Sequence, residues 1–173
     1  MKLKARQADT RSRIEITDDD GNVMYYLQSR AFSFHDTSCL LDADGGAVAT
    51  ITRNALSLYD THLIVMNSGT VVELRAKRLR WTKNALDIGD LGWRFAGGLA
   101  QRSYQLTDDR GQVLARTRMK KAPFHKACEV EVLDEERMDL VVAVLVVLNK
   151  IMAGRAGAEA VFLGRADRDG AQN

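Results

Sequence analysis

The sequence predicts a mainly β protein with one helix (α+β), in which about 12 antiparallel strands close into a barrel around a central, buried, hydrophobic C-terminal helix. The first supporting observation is a run of nine consecutive apolar residues, Leu140 to Leu148. A helix that is apolar on every face has to be enclosed. The second is a series of alternating segments joined by Asp- and Gly-rich turns, and the third is a 24-residue repeat of those turns. So many strands usually close up to remove their exposed edges.

The composition is that of one globular domain with a sizeable core, since 46% of the 173 residues are hydrophobic and 28% are charged. The formal net charge of +2 is too small to attract nucleic acid by bulk electrostatics, so no nucleic-acid partner is predicted. Cys39 and Cys128 are too few for a disulfide framework, and no secretory leader is recognisable. Both are therefore expected to be reduced thiols in the cytoplasm.

The predicted domain boundaries follow changes in composition. Residues 1–13 form a basic N-terminal stretch, including Lys2 and Lys4, that is expected to lie outside the barrel. The barrel and its helix are predicted to span residues 14–152. Residues 153–173 are rich in Ala, Gly and mixed charge, so they are expected to form a flexible tail.

The first strand pair is predicted at Ile14 to Leu27, where alternating residues run into an Asp-rich turn closed by Gly21. Glycine suits this position because it adopts a positive φ without steric cost. Equivalent turns end at Gly45 and Gly69, each 24 positions further along, and a fourth ends at Gly111. A period of this length corresponds to two strands and two turns, so the repeated unit is a strand pair.

The repeat also aligns residues 32–37 with residues 56–61, which share an apolar-Ser-apolar-aromatic-Asp-Thr order. Asp36 and Asp60 occupy equivalent positions in it, and both are predicted to cap backbone N–H groups in turns. The repeat fades after Lys77. Further strands are predicted at Trp93–Phe95, Tyr104–Thr107, Val113–Met119 and Cys128–Leu133.

Residues 135–152 are predicted to form the central helix. No Gly or Pro interrupts Met138 to Met152, which is long for a strand of about 5 to 6 residues. The valine content is counter-evidence, because β-branched residues are weak helix formers. A membrane span would need about 20 apolar residues, so the helix is expected inside the protein and not across a bilayer. The residues expected to form its core are Leu140, Val141, Val144, Leu145, Val147, Leu148 and Ile151.

A strand-rich chain that ends in a helix inside its own barrel resembles the Tubby C-terminal-like fold, which is related to that of phospholipid scramblases. More closely, it resembles bacterial members of the LURP-one-related family over about Ile14 to Met152. The motifs that carry this resemblance are Leu41 to Val48 with its 24-residue echo, Trp93 to Gly97, Tyr104 to Ala115, and the apolar helix.

The resemblance implies a twelve-stranded barrel around a buried helix and implies little chemistry. Tubby proteins bind phosphoinositides through Lys and Arg side chains on the barrel surface. That motif has no residue-by-residue match in this sequence, so the resemblance does not transfer lipid binding. LURP-one-related proteins of plants are linked to defence or stress.

Basic residues at alternate strand positions form the candidate binding surface, because such side chains share one face of a sheet and could hold lipid phosphates. The alternative interpretation is that a barrel exterior is simply polar, with Glu73, Asp108 and Asp109 neutralising part of the charge. The candidate lipid- or phosphate-binding residues are Arg75, Lys77, Arg78, Arg80, Arg116, Arg118 and Lys120.

No catalytic residue, metal site or cofactor is predicted. His35, His62 and His125 are far apart and have no cysteines at metal-ligand spacing. Ser33 and Ser57 lack the Gly-x-Ser-x-Gly setting of a hydrolase nucleophile.

The predicted function is therefore non-enzymatic. The chain is expected to be a monomeric, cytoplasmic binding or scaffold domain of the LURP-one-related type that contacts anionic phospholipid head groups at the inner membrane face. The alternative is a soluble, stress-associated module that binds an unidentified protein through its loops and has no lipid role.

Overall fold

In a computed structural model, the described residues are 1–7, 13–29, 36–54, 59–77, 86–98, 103–119 and 128–156. The strands are β1 (Lys2–Gln7), β2 (Arg13–Thr17), β3 (Val23–Ser29), β4 (Thr37–Asp42), β5 (Ala47–Asn54), β6 (Tyr59–Met66), β7 (Val71–Lys77), β8 (Leu86–Ile88), β9 (Arg94–Gly98), β10 (Ser103–Thr107), β11 (Val113–Met119) and β12 (Cys128–Val132). A short 3₁₀ helix (Gly89–Leu91) connects β8 to β9, and the chain continues from β12 into helix α1 (Met138–Ala156).

The strands form one 12-stranded sheet in the order β8-β7-β6-β5-β4-β3-β2-β1-β12-β11-β10-β9. Every hydrogen-bonded pair in it is antiparallel. The sheet curls until β8 and β9, its two end strands, come close, although no ladder of hydrogen bonds joins them among the described residues. The predicted antiparallel barrel of about 12 strands is therefore confirmed, with a seam between β8 and β9.

The N-terminal residues differ from the prediction, which placed residues 1–13 outside the barrel. Lys2–Gln7 form β1, which lies between β2 and β12 and pairs with both. The side chain of Leu3 is 1% exposed and belongs to the core. The basic residues obscured a strand because Lys2 and Lys4 alternate with Leu3 and Ala5, so the charges lie outside and the apolar side chains lie inside.

Four hairpin turns have the predicted geometry. Their closing glycines, Gly21, Gly45, Gly69 and Gly111, have φ values of 89°, 87°, 92° and 82°. In each turn the glycine N–H donates to the carbonyl of the residue three positions earlier. Such turns place a left-handed residue next to a bulge, which increases the twist that a barrel needs.

Helix α1 fills the barrel, which confirms the predicted central buried helix. All nine residues from 141 to 149 are buried. Of the residues expected to form the core, Leu140 is half-buried, and the other six are no more than 3% exposed. The helix spans 138–156 and not the predicted 135–152, and residues 157–173 lie outside the described part of the chain. No helix among the described residues has the length and apolarity that crossing a membrane requires.

Hydrogen bonds fix the helix to strands on different sides of the barrel. The Tyr25 hydroxyl on β3 donates to Asp139 Oδ1 at 2.6 Å, and the Tyr25 side chain belongs to the core. At the other end of the helix, Asn149 Nδ2 donates to the Tyr104 hydroxyl at 3.3 Å, and Lys150 Nζ donates to Ser38 Oγ at 2.6 Å. These bonds set the depth and rotation of a helix whose own surface is almost uniformly apolar.

Candidate functional site at the mouth of the barrel

One end of the barrel, which we call the mouth, is formed by the turns at 18–22, 42–46, 66–70 and 108–112 together with residues 133–140. In an up-and-down sheet alternate connections fall at the same end, and the chain enters α1 from β12 at that end too. The connections at the opposite end contain residues outside the described part of the chain.

The first cleft of the mouth has a volume of about 740 Å³ and lies beside the N-terminus of α1. Its floor is apolar and includes Val48, Met66 and Leu140. Its rim carries four carboxylates and one guanidinium, from Asp42, Glu135, Glu136, Asp139 and Arg137. An apolar floor inside an acidic rim is suited to a ligand that has both apolar and cationic groups.

The second cleft, of about 590 Å³, lies on the other side of residues 135–137. Asp108 and Asp134 belong to its wall, and both are almost completely buried. Glu136 lines both clefts, is exposed, and lies where a ligand in either cleft would meet it. The two clefts therefore form one acidic surface that the turn at 135–137 divides.

Arg137 holds this wall together. Its backbone N–H and its Nε donate to the two carboxylate oxygens of Asp134 at 3.0 and 2.6 Å, and its Nη2 lies 3.5 Å from Asp108 Oδ2. Its guanidinium also lies 5.8 Å from the centre of the Trp93 ring. The partnership with Asp134 raises the pKa of Arg137, so this side chain stays cationic beside its two buried carboxylates. The Met1 ammonium group lies 3.2 Å from Glu135 Oε1 and offsets part of the negative charge of the rim.

Asp108 illustrates how the turns keep their carboxylates charged. Its burial would raise the pKa, but the backbone N–H groups of Gln112 and Arg110, which donate to Oδ1 at 2.8 and 3.0 Å, and the Arg137 guanidinium together lower it. In the 18–22 turn, the Asn22 side-chain amide and backbone N–H groups lower the pKa of Asp18. These two carboxylates of the mouth therefore keep their negative charge to a lower pH than an isolated aspartate does.

The four described residues among those predicted as a lipid site lie on two separated strands. Arg75 and Lys77 lie on β7, and Arg116 and Arg118 lie on β11. Across the seam, three strands (β8, β9 and β10) separate β7 from β11. Only the backbone of Lys77 and Arg118 is described, and Arg78, Arg80 and Lys120 lie outside the described residues.

Arg75 and Arg116, the two candidate lipid-binding residues whose side chains are described, are each paired with a carboxylate. Arg75 Nη2 donates to Glu73 Oε2 at 2.6 Å, and Arg116 Nε donates to Glu131 Oε2 at 2.5 Å. Each pairing raises the pKa of the arginine. Acidic β12 also separates β11 from β1, where Lys2 is the register partner of Glu131. Around these two arginines the charges on the exterior alternate in sign, so the positive charge of Arg75 and Arg116 is partly neutralised.

A polar cluster inside the barrel, near the C-terminal half of α1, was not predicted. Asp60, expected to cap a turn, lies within β6 and is 5% exposed. Arg53 Nε donates to its Oδ1 at 2.9 Å, and His62 Nε2 lies 3.4 Å from the same oxygen. The His62 ring and the Arg53 guanidinium lower the pKa of Asp60 to about 2. Asp36, the repeat equivalent of Asp60, lies 3.5 Å from Lys150 Nζ.

Among the described residues, no three His, Cys, Asp or Glu side chains are grouped to hold a metal ion. His35 and His125 lie outside those residues.

The acidic mouth was also missed by the sequence analysis, which interpreted each Asp-rich turn separately. The expected topology of the sheet could have indicated the mouth. If consecutive strands form hairpins, every second turn lies at the same end of the sheet, so turns 24 residues apart have to meet. The charge at the mouth could have been predicted by placing the turns together.

Comparison with known proteins gives three results. The family model described as LURP-one-related matches residues 1–149. The uncharacterized protein YxjI of Bacillus subtilis (strain 168) is 23% identical over 150 residues, which cover 87% of this chain and 91% of that protein. A crystal structure of the Arabidopsis thaliana protein AT5G01750 superimposes with a TM-score of 0.63 at 16% identity, covering 87% of this chain and 90% of the other, which shows a shared fold.

Proposed function

The chain belongs to the LURP-one-related family, and on that basis we propose that it is a non-enzymatic, cytoplasmic binding module that receives a basic and partly apolar segment of a partner protein in the mouth. The acidic rim around the apolar floor of the first cleft carries this proposal.

The filled interior supports a function on the surface. A barrel of about this size has room for a ligand, but α1 occupies that space. Among the described residues, an interior void lined by Leu3, Val142 and Leu145 measures about 10 Å³, which is too small for a ligand. Recognition is therefore expected at the ends or on the outer faces of the barrel.

The charge distribution favours a cationic partner at the mouth. Glu136 and Asp42 lie on the rim of the first cleft, where basic side chains can meet them, while half-buried Met138 and Leu140 offer contact to apolar ones. Repulsion by the same carboxylates would exclude nucleic acid and anionic lipid from this end. The alternative function considered from the sequence, a protein-interaction module that uses its loops, is thus the better supported one.

The test is a titration of the ¹⁵N-labelled protein with a Lys/Leu peptide, with a Glu/Leu peptide of equal length as the control. We expect the Lys/Leu peptide alone to shift amide resonances of residues 66–70 and 135–140. Glu136→Lys should weaken this binding by roughly tenfold, because it reverses an exposed charge in both clefts.

Asp20→Lys is the matched control. Asp20 is an exposed residue of the mouth, outside the lining of both clefts, so its reversal changes the net charge equally without altering the rim. If the two variants weaken peptide binding equally, the peptide is attracted by the overall negative charge of the mouth and is not bound in the clefts. Equal binding of the Glu/Leu peptide would contradict the proposal.

Contact with anionic head groups is the second candidate, because the side chains of Arg75 and Arg116 are 55% and 44% exposed and can reach a membrane. Lipid contact is the less well supported of the two functions, because both arginines are already paired with carboxylates. Co-sedimentation with anionic vesicles at low salt, compared with zwitterionic vesicles, measures it. Loss of binding in the Arg116→Ala, Arg118→Ala, Lys120→Ala triple variant would support the second candidate, and no binding by the wild type would exclude it.

A further inference from the structure

The outer face of β6 and β7 exposes an unusual amount of apolar surface. Among the described residues, six large hydrophobic side chains are exposed, and four of them lie on these two strands. Their exposed fractions are 45% for Tyr59, 39% for Leu63, 41% for Val65 and 59% for Val71. We call this surface the β6–β7 face. Contiguous exposed apolar side chains with a polar border mark interaction sites.

The charged residues of this face lie on β7 and β8. Glu73, Arg75 and Lys77 alternate along β7, and Asp87 on β8 is the register partner of Arg75. Glu73 and Arg75 are two residues apart on β7, so they point to the same side, and both are accessible. The register between β6 and β7 pairs Val65 with Val71, Leu63 with Glu73 and Thr61 with Arg75. The face therefore has an apolar end and a charged middle, with no net charge from the Glu73–Arg75 pair.

Part of this pattern, the Glu73–Arg75 pair together with Val65 and Tyr59, is complementary to itself under a two-fold rotation. The same rotation places position 71, a valine, opposite position 77, a lysine. The two-fold axis lies in the plane of the interface and runs perpendicular to the strands. It passes over the register pair His62 and Leu74. The rotation places β6 antiparallel to β6 of a second copy, and Val65 then faces Tyr59 of that copy. It likewise places β7 on β7, and Glu73 faces Arg75 of the second copy. One axis relates both pairs of strands, because His62 on β6 and Leu74 on β7 are register partners.

We propose that the β6–β7 face is the interface of a homodimer with this two-fold arrangement, in place of the monomer that the sequence analysis expected. In an isologous contact every interaction occurs twice. The two Glu73–Arg75 contacts between subunits give the interface its register, and burial of the exposed aliphatic side chains stabilises it.

The test is sedimentation equilibrium over a range of protein concentrations. Wild type should associate reversibly to a dimer. Glu73→Lys and Arg75→Glu should each weaken self-association by roughly tenfold or more, because each places like charges opposite one another at two symmetric positions. Circular dichroism and thermal unfolding of each variant check that the monomer keeps its fold.

Mixing the two single variants is the decisive measurement. In a mixed dimer each introduced charge faces an opposite charge of the other chain, so association should return when one variant is labelled with a dye and titrated with the other. The ion pair within each chain stays broken in the mixture, so an effect on the monomer alone cannot produce this recovery. Failure of the mixture to associate would overturn the proposal.

The apolar part of the face is tested by Val65→Asp, with Leu133→Asp as its control. Leu133 has a similar exposed fraction, 43%, but lies at the mouth. We expect Val65→Asp to abolish dimer formation and Leu133→Asp to leave it unchanged. A wild-type protein that sediments as a monomer at every concentration, or a Val65→Asp variant that still dimerises, would overturn the proposal.

Discussion

At the scale of single residues, Asp60 shows how repeat copies with the same sequence pattern acquire different roles. Asp36 and Asp60 are 24 positions apart in equivalent places of the repeat. The Asp36 side chain is 53% exposed and lies 3.5 Å from Lys150, whereas the Asp60 side chain is 7% exposed and bound by Arg53. An ion pair with a buried member contributes more than an exposed one, because solvent screens the exposed pair.

The free energy of unfolding should therefore depend on pH through the ionisation of Asp60. Its pKa is lowered from 3.8 to about 2 in the folded protein, so the ionised carboxylate stabilises the fold above about pH 4, and this contribution is lost as the pH falls through about 2. The contribution at neutral pH is about 2 kcal/mol. Urea unfolding of Asp60→Asn at pH 7 should show a loss of that order and a weaker dependence on pH between 4 and 2.

Asp36→Asn is the matched control, because it makes the same chemical change at the equivalent repeat position. We expect it to cost less than about 1 kcal/mol, as is usual for an exposed ion pair. Equal losses of free energy of unfolding in the two variants would show that burial of Asp60 has no special effect.

At the scale of elements, the hairpin turns are defined by backbone conformation more than by side-chain contacts. Asp18, Asp42 and Asp108 each accept backbone N–H groups of their own turn, yet the turn at 66–70 has the same backbone bonds with Met66 in that position. The positive φ of the closing glycine is common to all four turns. The glycine is therefore the essential residue of the repeat, and the aspartate adds to it.

Gly45→Ala tests this at the second turn. A Cβ atom at Gly45 would meet no other atom within 4 Å, so any cost comes from its φ of +87°. We expect a loss of about 1–2 kcal/mol in the free energy of unfolding, measured by urea denaturation. Gly45→Asn should cost less, because asparagine adopts left-handed conformations more readily. Equal stability of Gly45→Ala and wild type would contradict the prediction.

At the scale of the whole molecule, closure of the barrel depends on β1. This strand provides the only described link between β2 and β12, which the chain separates by more than a hundred residues. Deletion of residues 1–7 would leave both neighbours with an unpaired edge and would expose the core around Leu3. We expect the shortened protein to lose cooperative thermal unfolding, measured by circular dichroism.

The control for this deletion is the Lys2→Ala, Lys4→Ala variant. Both lysines form exposed ion pairs with Asp19, so their loss should change stability by less than about 1 kcal/mol while β1 remains in place. A deleted protein that still unfolds in one sharp transition would show that the sheet does not need β1.

The sequence by itself determined the features that rest on local patterns. A two-residue period indicated many of the strands, although not β1, the glycines indicated the positive φ values of the turns, and the uninterrupted apolar run predicted a buried helix. These inferences succeeded because each property is set by residues close together in the chain. The order of the motifs was also enough to indicate the family, which the match over residues 1–149 confirms.

Tertiary structure alone decided where charges meet. Arg116 is paired with Glu131 and Arg137 with Asp108, and Asp60 lies inside the barrel beside His62. Such contacts depend on strand register and on which connections share an end, and neither is encoded in the neighbours of a residue. For this reason Arg75 and Arg116, two members of the predicted basic stripes, are paired with carboxylates, and separate acidic turns lie together at one mouth.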